Sequence, residues 1–118
     1  DALTHAVIDA LLGALALGDI GQHFPDTDPR FKDAESLEML KSVMLIVQDH
    51  GYRVGNLDCT IVTEKPKLAP HIRPMCRNLA KYLLVEESDV RIKATRTENV
   101  LFSAGDGLLA MATVLLYK

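Results

Sequence analysis

LLAMATVLLYK, residues 108–118, is the stretch whose reading decides the fold. By periodicity alone it fits a helix or a buried strand. Threonine, valine and tyrosine gather toward its end, and β-branched and aromatic side chains suit the pleated surface of a strand. Read that way, it is the third strand of three. Residues 53–63 alternate Leu57, Cys59 and Ile61 with Asp58, Thr60 and Val62. Residues 90–95, VRIKAT, read as a shorter strand.

Three other segments carry a helical period. Residues 2–17 place Leu3, Val7, Leu11 and Leu15 on one stripe, widened by Ala6, Ala10 and Ala14, with Asp1 as a cap and Gly18 as the stop. Residues 33–51 start at Asp33, bury Leu37, Leu40, Val43, Met44 and Val47, and stop at Gly51. The third runs from about Pro70 to Leu84, with Ile72, Met75, Leu79, Tyr82 and Leu83 as its apolar side. Pro70 and Pro74 fit only the first turns of such a helix. The order is helix, helix, strand, helix, strand, strand. That predicts an α+β domain, a mixed sheet covered on one face by helices.

At 118 residues the chain is one domain, residues 1–118. A domain of this size buries roughly two thirds of its unfolded surface and folds without disulfides. Cys59 and Cys76 form no CxxC pair and read as reduced, buried thiols. The formal net charge of −3 argues against a general nucleic-acid binder. No apolar run reaches the length of a membrane span. The chain opens on Asp1 inside a helical pattern, so a leading segment of its parent is expected to be missing.

Chemistry-bearing residues fall in four places. GDIGQHFPDTDPRFK, residues 18–32, is overlong for a helix connection and sets Asp26 and Asp28 around Thr27, between Pro25 and Pro29. Each proline fixes its own φ and restricts its neighbour, so the run is stiff. Asx turns explain the composition, and so does a rigid loop presenting carboxylates to hydroxyls or a metal. Lys65-Pro66-Lys67 makes either a solvated turn or a basic rim for phosphate. Lys93 to Glu98, KATRTE, offers hydroxyls, a guanidinium and a carboxylate to phosphate oxygens and a divalent cation. His5 shares a helix face with Asp9, and a carboxylate often orients a metal-bound imidazole. No Walker loop, GxSxG or dinucleotide fingerprint occurs.

The stretches DALLGALALGDIGQHFPDTDPRFK, GYRVGNLDCTIVTEKPKLAPHI and VRIKATRTEN closely resemble the 2-C-methyl-D-erythritol 2,4-cyclodiphosphate synthase family. The resemblance implies a ferredoxin-like subunit of a homotrimer, with active sites between neighbouring subunits. It implies a cytidine diphosphate substrate, 4-diphosphocytidyl-2-C-methyl-D-erythritol 2-phosphate, cyclised with release of CMP. It also implies zinc and a second divalent ion, Mg2+ or Mn2+, in a bacterial cytoplasm or a plastid. By position, His5 matches the histidine zinc ligand. Asp19, Ile20, Gly21, Phe24, Pro25, Asp26, Thr27 and Asp28 match the methylerythritol pocket. Thr63, Glu64, Lys65, Pro66, Lys67, Leu68 and Ala69 occupy the cytidine pocket. Thr95, Thr97 and Glu98 match the diphosphate and second-metal region, and Phe102 lines the substrate site.

The chain also departs from the family. An Asp-x-His pair of zinc ligands and a His-Ser pair are expected in the leading segment, upstream of Asp1. Arg96 stands where the family has a threonine that stabilises the transition state, so Arg96 and Glu98 are the candidate catalytic residues. Residues 103–107 are one residue shorter than the family pattern and lack its phosphate-contacting arginine. These departures motivate a second reading, a non-catalytic trimeric binder of cytidine nucleotide or isoprenoid diphosphate.

Overall fold

The structure, a computed structural model, describes residues 2–25, 35–63, 68–96 and 107–118. Its elements are α1 (Ala2–Ala14), α2 (Ile20–His23), α3 (Ser36–Asp49), β1 (Arg53–Thr63), α4 (Ala69–Leu83), a 3-10 helix (Glu87–Asp89), β2 (Val90–Thr95) and β3 (Leu108–Tyr117). Residues 108–117 are a strand, so the deciding stretch resolves in favour of the α+β reading. The expected order holds, with α2 and the 3-10 helix added.

The strand order is β2-β1-β3. β1 and β2 are parallel, in register from Leu57↔Val90 to Val62↔Thr95, with α4 as the crossover between them. β3 runs antiparallel to β1, from Arg53↔Tyr117 to Thr63↔Leu108, with an irregularity between Val54 and Asn56. The ferredoxin-like label goes beyond these three described strands.

One face of the sheet is covered. Leu57, Cys59 and Ile61 of β1 and Val90 and Ile92 of β2 are buried there, joined by Ala110, Ala112, Val114 and Leu116 of β3. α1 lies chiefly on β3. Its buried residues form two adjacent rows, Leu3, Val7 and Leu11 beside Thr4, Ile8 and Leu12. The expected widening by alanines is therefore wrong, because Ile8 and Leu12 take that place. The small side chains of Ala110 and Ala112 give the large ones of α1 room to pack. Val62, expected on the outer side, is buried as well.

All three long helices end with the 6→1 bond of a Schellman motif, and α1 and α3 add its 5→2 bond. In α1, Leu17 N donates to Leu12 O at 2.9 Å and Ala16 N to Gly13 O at 3.0 Å. In α3, Tyr52 N donates to Val47 O at 3.1 Å and Gly51 N to Gln48 O at 2.9 Å. In α4, Val85 N donates to Ala80 O at 3.1 Å. The left-handed residue is the expected glycine only at Gly51; the others are Ala16 (φ 57°) and Leu84 (φ 61°). This corrects the expected end of α1, which closes before Gly18. The expected cap Asp33 lies outside the described residues, and Glu35 precedes α3 without a side-chain cap.

The other face of the sheet carries Asp58 and Lys93, paired at 3.0 Å. Along β3 it carries Leu109, Met111, Leu115 and Tyr117, which are 42–60% exposed.

Candidate active site

Two groups of candidate residues take shape. The first gathers at one end of the sheet. Because β1 and β2 are parallel, both finish at the same edge, where β3 begins. Thr63 closes β1 and is 5% exposed; its Oγ1 donates to the Gly107 carbonyl at 3.4 Å. Thr95 closes β2 opposite Val62, and Arg96 follows it, both exposed. Arg96 makes no ion pair among the described residues. α4 starts at this same end, since only residues 64–68 separate it from β1. Leu68 precedes the helix, its carbonyl accepting from His71 N at 2.8 Å, and Ala69 is the first helical residue. Thr63, Leu68, Ala69, Thr95, Arg96 and Gly107 thus frame one edge, with hydroxyls, backbone groups and one unpaired guanidinium.

The second group sits on α1. The stretch expected as an open loop contains the short helix α2. Asp19 is its N-cap, with Oδ1 accepting from Gln22 N at 3.0 Å. Phe24 N donates to Ile20 O at 2.8 Å, and His23 Nε2 donates to Leu17 O at 2.8 Å. Ile20 and Phe24 rest partly buried on the core, while Asp19 and Gly21 are exposed. Gly18 has φ +95°, and a Cβ there would collide with the Gln22 side chain folded over it. The left-handed φ favours glycine at that point of the chain, while the end of the Gln22 side chain can swing aside. Asp26, Thr27, Asp28, Glu64, Lys65, Pro66, Lys67, Thr97, Glu98 and Phe102 lie outside the described residues. Pro25 is the last described residue before that gap, half-buried.

His5 is exposed on α1 and has no hydrogen bond or ion pair among the described residues. Asp9, one turn along, does not hold its ring. Asp9 Oδ1 instead accepts from Ile20 N at 2.7 Å. That bond replaces the imidazole-orienting role expected from the shared helix face. Tetrahedral zinc takes three or four protein ligands. Among the described residues no group of three His, Cys, Asp or Glu side chains comes together to hold a metal. The described residues alone therefore do not fit a zinc site.

The thiols take no part. Cys59 and Cys76 are free and buried. Burial, then the charge of Asp58, pushes the Cys59 thiol up from 9.0 to about 12. Burial raises Cys76 as well. A protonated, desolvated thiol is a poor nucleophile. A cavity of about 140 Å³, lined by Met44, Gln48, Tyr52, Arg53, Val54, Leu83, Leu84 and Tyr117, opens at the opposite end of β1 from Thr63. It holds none of the candidate residues. Two contacts escaped the sequence reading. Gly107 meets Thr63 through its carbonyl, and Asp9 reaches across eleven positions to Ile20. Neither contact has a spacing signal.

The model of the YgbB family matches residues 1–117. The 2-C-methyl-D-erythritol 2,4-cyclodiphosphate synthase of Bacillus pumilus (strain SAFR-032) is 52% identical over 119 aligned positions, covering 100% of this chain and 75% of that protein. The enzyme of the same name from Geobacillus kaustophilus (strain HTA426) is 55% identical with the same coverage. Among solved structures, the bifunctional IspDF from Campylobacter jejuni superposes with a TM-score of 0.92 at 38% identity, over 98% of this chain and 32% of that longer one. A 2C-methyl-D-erythritol-2,4-cyclodiphosphate synthase in its CDP-bound form superposes with a TM-score of 0.89 at 32% identity, over 97% of this chain and 74% of that one.

Proposed function

The chain belongs to the YgbB family, and on that premise we propose that it is a 2-C-methyl-D-erythritol 2,4-cyclodiphosphate synthase. In this reaction an oxygen of the substrate's 2-phosphate attacks the β-phosphorus of its cytidine diphosphate arm. A P–O bond forms, the α–β anhydride bond breaks, and CMP leaves with the α-phosphate. Such a transfer within one molecule needs positioning and charge neutralisation more than a protein nucleophile. This suits a chain whose two thiols are desolvated.

The observation that carries the reading is the edge where β1 and β2 end side by side and α4 and β3 begin. In the proposal, backbone groups around Thr63, Leu68 and Ala69, with residues 64–67, receive the cytidine. Thr95, Arg96 and Thr97 hold phosphate oxygens, Phe102 lines the pocket, and Glu98 is a ligand of Mg2+ or Mn2+. Asp19, Ile20 and Gly21, with Phe24 to Asp28, take the methylerythritol hydroxyls. His5 serves as one zinc ligand, its partners coming from beyond the described residues. When bound, the metals would neutralise charge on the phosphates.

A homotrimer, with sites shared between neighbours, belongs to the proposal. The exposed apolar stripe of the β3 face supports it, since monomers rarely leave such a stripe open on an edge strand. A bacterial cytoplasmic setting is also proposed; no helix among the described residues is long and apolar enough to cross a membrane.

The test is CMP release from substrate with Zn2+ and Mg2+. Wild-type protein is expected to turn over. Arg96→Ala is expected to lower kcat/KM by about 10- to 100-fold, the loss of charge-assisted bonds to phosphate. Saturable CDP binding without turnover would instead favour the non-catalytic binder.

A further inference from the structure

We propose that Asp9 is a positioning residue that holds the substrate loop at a fixed place relative to His5. The inference rests on the functional reading above for what the loop binds, and on geometry alone for the clamp. α2 has four residues. A helix that short has no stability of its own, because nucleation costs more than so few internal bonds return. Something else must hold it. Asp19 caps it from within the same segment, at Gln22 N. His23 and Phe24 close it locally, onto Leu17 O and Ile20 O. Ile20 and Phe24 pack partly on the core, and among the described residues the side-chain hydrogen bond from α1 to α2 is Asp9 Oδ1 accepting from Ile20 N, at 2.7 Å.

That bond is short and charge-assisted, the stronger kind. It satisfies the first helical N–H of α2, a donor with no partner inside the helix. Asp9 lies one turn from His5 on the exposed face of α1, a rise of about 6 Å. Asp9 therefore ties Asp19 and Gly21 to the helix that carries the candidate metal ligand. Loosening the clamp frees Asp19 to leave its capping position and enlarges the ordering cost at binding. The expected signature is weaker substrate capture with the reacting groups intact.

The experiment compares Asp9→Ala with Asp9→Asn, whose amide oxygen can still accept from Ile20. Amide exchange at Ile20 is followed by NMR, KM and kcat by CMP release, and zinc affinity by competition with a chromophoric chelator. Asp9→Ala is expected to speed Ile20 exchange and to raise KM, each by about tenfold, with kcat within about twofold of wild type. Asp9→Asn is expected to restore most of both, and zinc affinity is expected to stay level in the two variants. Unchanged Ile20 exchange in Asp9→Ala overturns the clamp. So does faster exchange with unchanged KM, or a matching loss of zinc affinity in both variants, which would return Asp9 to the imidazole. Wild-type protein that releases no CMP overturns the functional reading alone, and Ile20 exchange then decides the clamp by itself.

Discussion

Raising the pH above 9 will destabilise this fold through Cys59. The thiol is 1% exposed on β1. Burial, then the negative charge of Asp58, holds it at about 12 against an ordinary 9.0. Between those values the unfolded chain has lost the proton that the folded chain keeps. The folded state binds more protons there, so stability falls as pH rises. The contribution is complete below pH 9 and is lost progressively toward pH 12. The gap corresponds to about 1.4 kcal/mol per pH unit and about 4 kcal/mol in all. The charge of Lys93 acts the other way and is a smaller influence.

The wild-type curve sums this thiol with the chain's other ionisable groups. Cys59→Ala keeps all of them and removes only this thiol. Cys76 shifts in the same direction, so both chains should carry Cys76→Ala. Urea unfolding from about pH 8 to about pH 10.5 then gives the difference in stability between the two. Cys59→Ala starts less stable by a packing loss of about 1 kcal/mol that does not depend on pH. The difference should shrink by about 1.4 kcal/mol for each pH unit above 9 and change sign within the range. A difference that stays constant would refute the reasoning, because it would mean that Cys59 ionises as easily folded as unfolded.

Gly18→Ala should destabilise the chain by about 1–2 kcal/mol, since it forces a side chain into a left-handed residue against Gln22; thermal unfolding measures it, and no loss would mean that the turn is not as described. Mixing Asp19→Ala with Arg96→Ala chains in equal amounts, each at least about tenfold down alone, should raise CMP release to about a quarter of wild type if the two groups of site residues meet across a subunit boundary in a cyclic trimer. No recovery after verified subunit exchange would place both groups within one chain.

Much of the fold was legible because burial on one face writes itself into the sequence. The alternation of Leu57, Cys59 and Ile61 marks β1 as a strand with one covered side, and that side is the one the helices pack on. The same alternation misplaced Val62, which is buried although it alternates with Ile61 along the strand. The ends of α3 and α4 were legible to within a residue or two, and the end of α1 was not. Gly51 announced the end of α3, but Ala16 and Leu84 adopt the same conformation at φ 57° and φ 61° with a Cβ in place. Each costs on the order of 1–2 kcal/mol. The closing hydrogen bonds of Leu17 and Val85, made as those residues turn back onto the core, offset that cost. Tertiary packing chose these ends, and no single-residue preference could reveal them.

The candidate site divides along the same physical line. Residue types marked its segments, because stiff prolines and carboxylates in one loop and hydroxyls beside a guanidinium at a strand end are unusual for ordinary connectors. What residue types could not reveal was how the first loop is held. A four-residue helix has no period to detect, and Asp9 reads equally well as a solvated residue, a partner for His5 or a clamp. Only the approach of α1 to Ile20 selects among these. The selection has a consequence for the loop's carboxylate. Asp19 spends one oxygen on Gln22 N as a cap, so in the proposed function a hydroxyl would fall to the second. A loop that had to form its cap at binding would lose affinity to that ordering. Here the cap is already made, so the proposed role of Asp19 would not carry that cost.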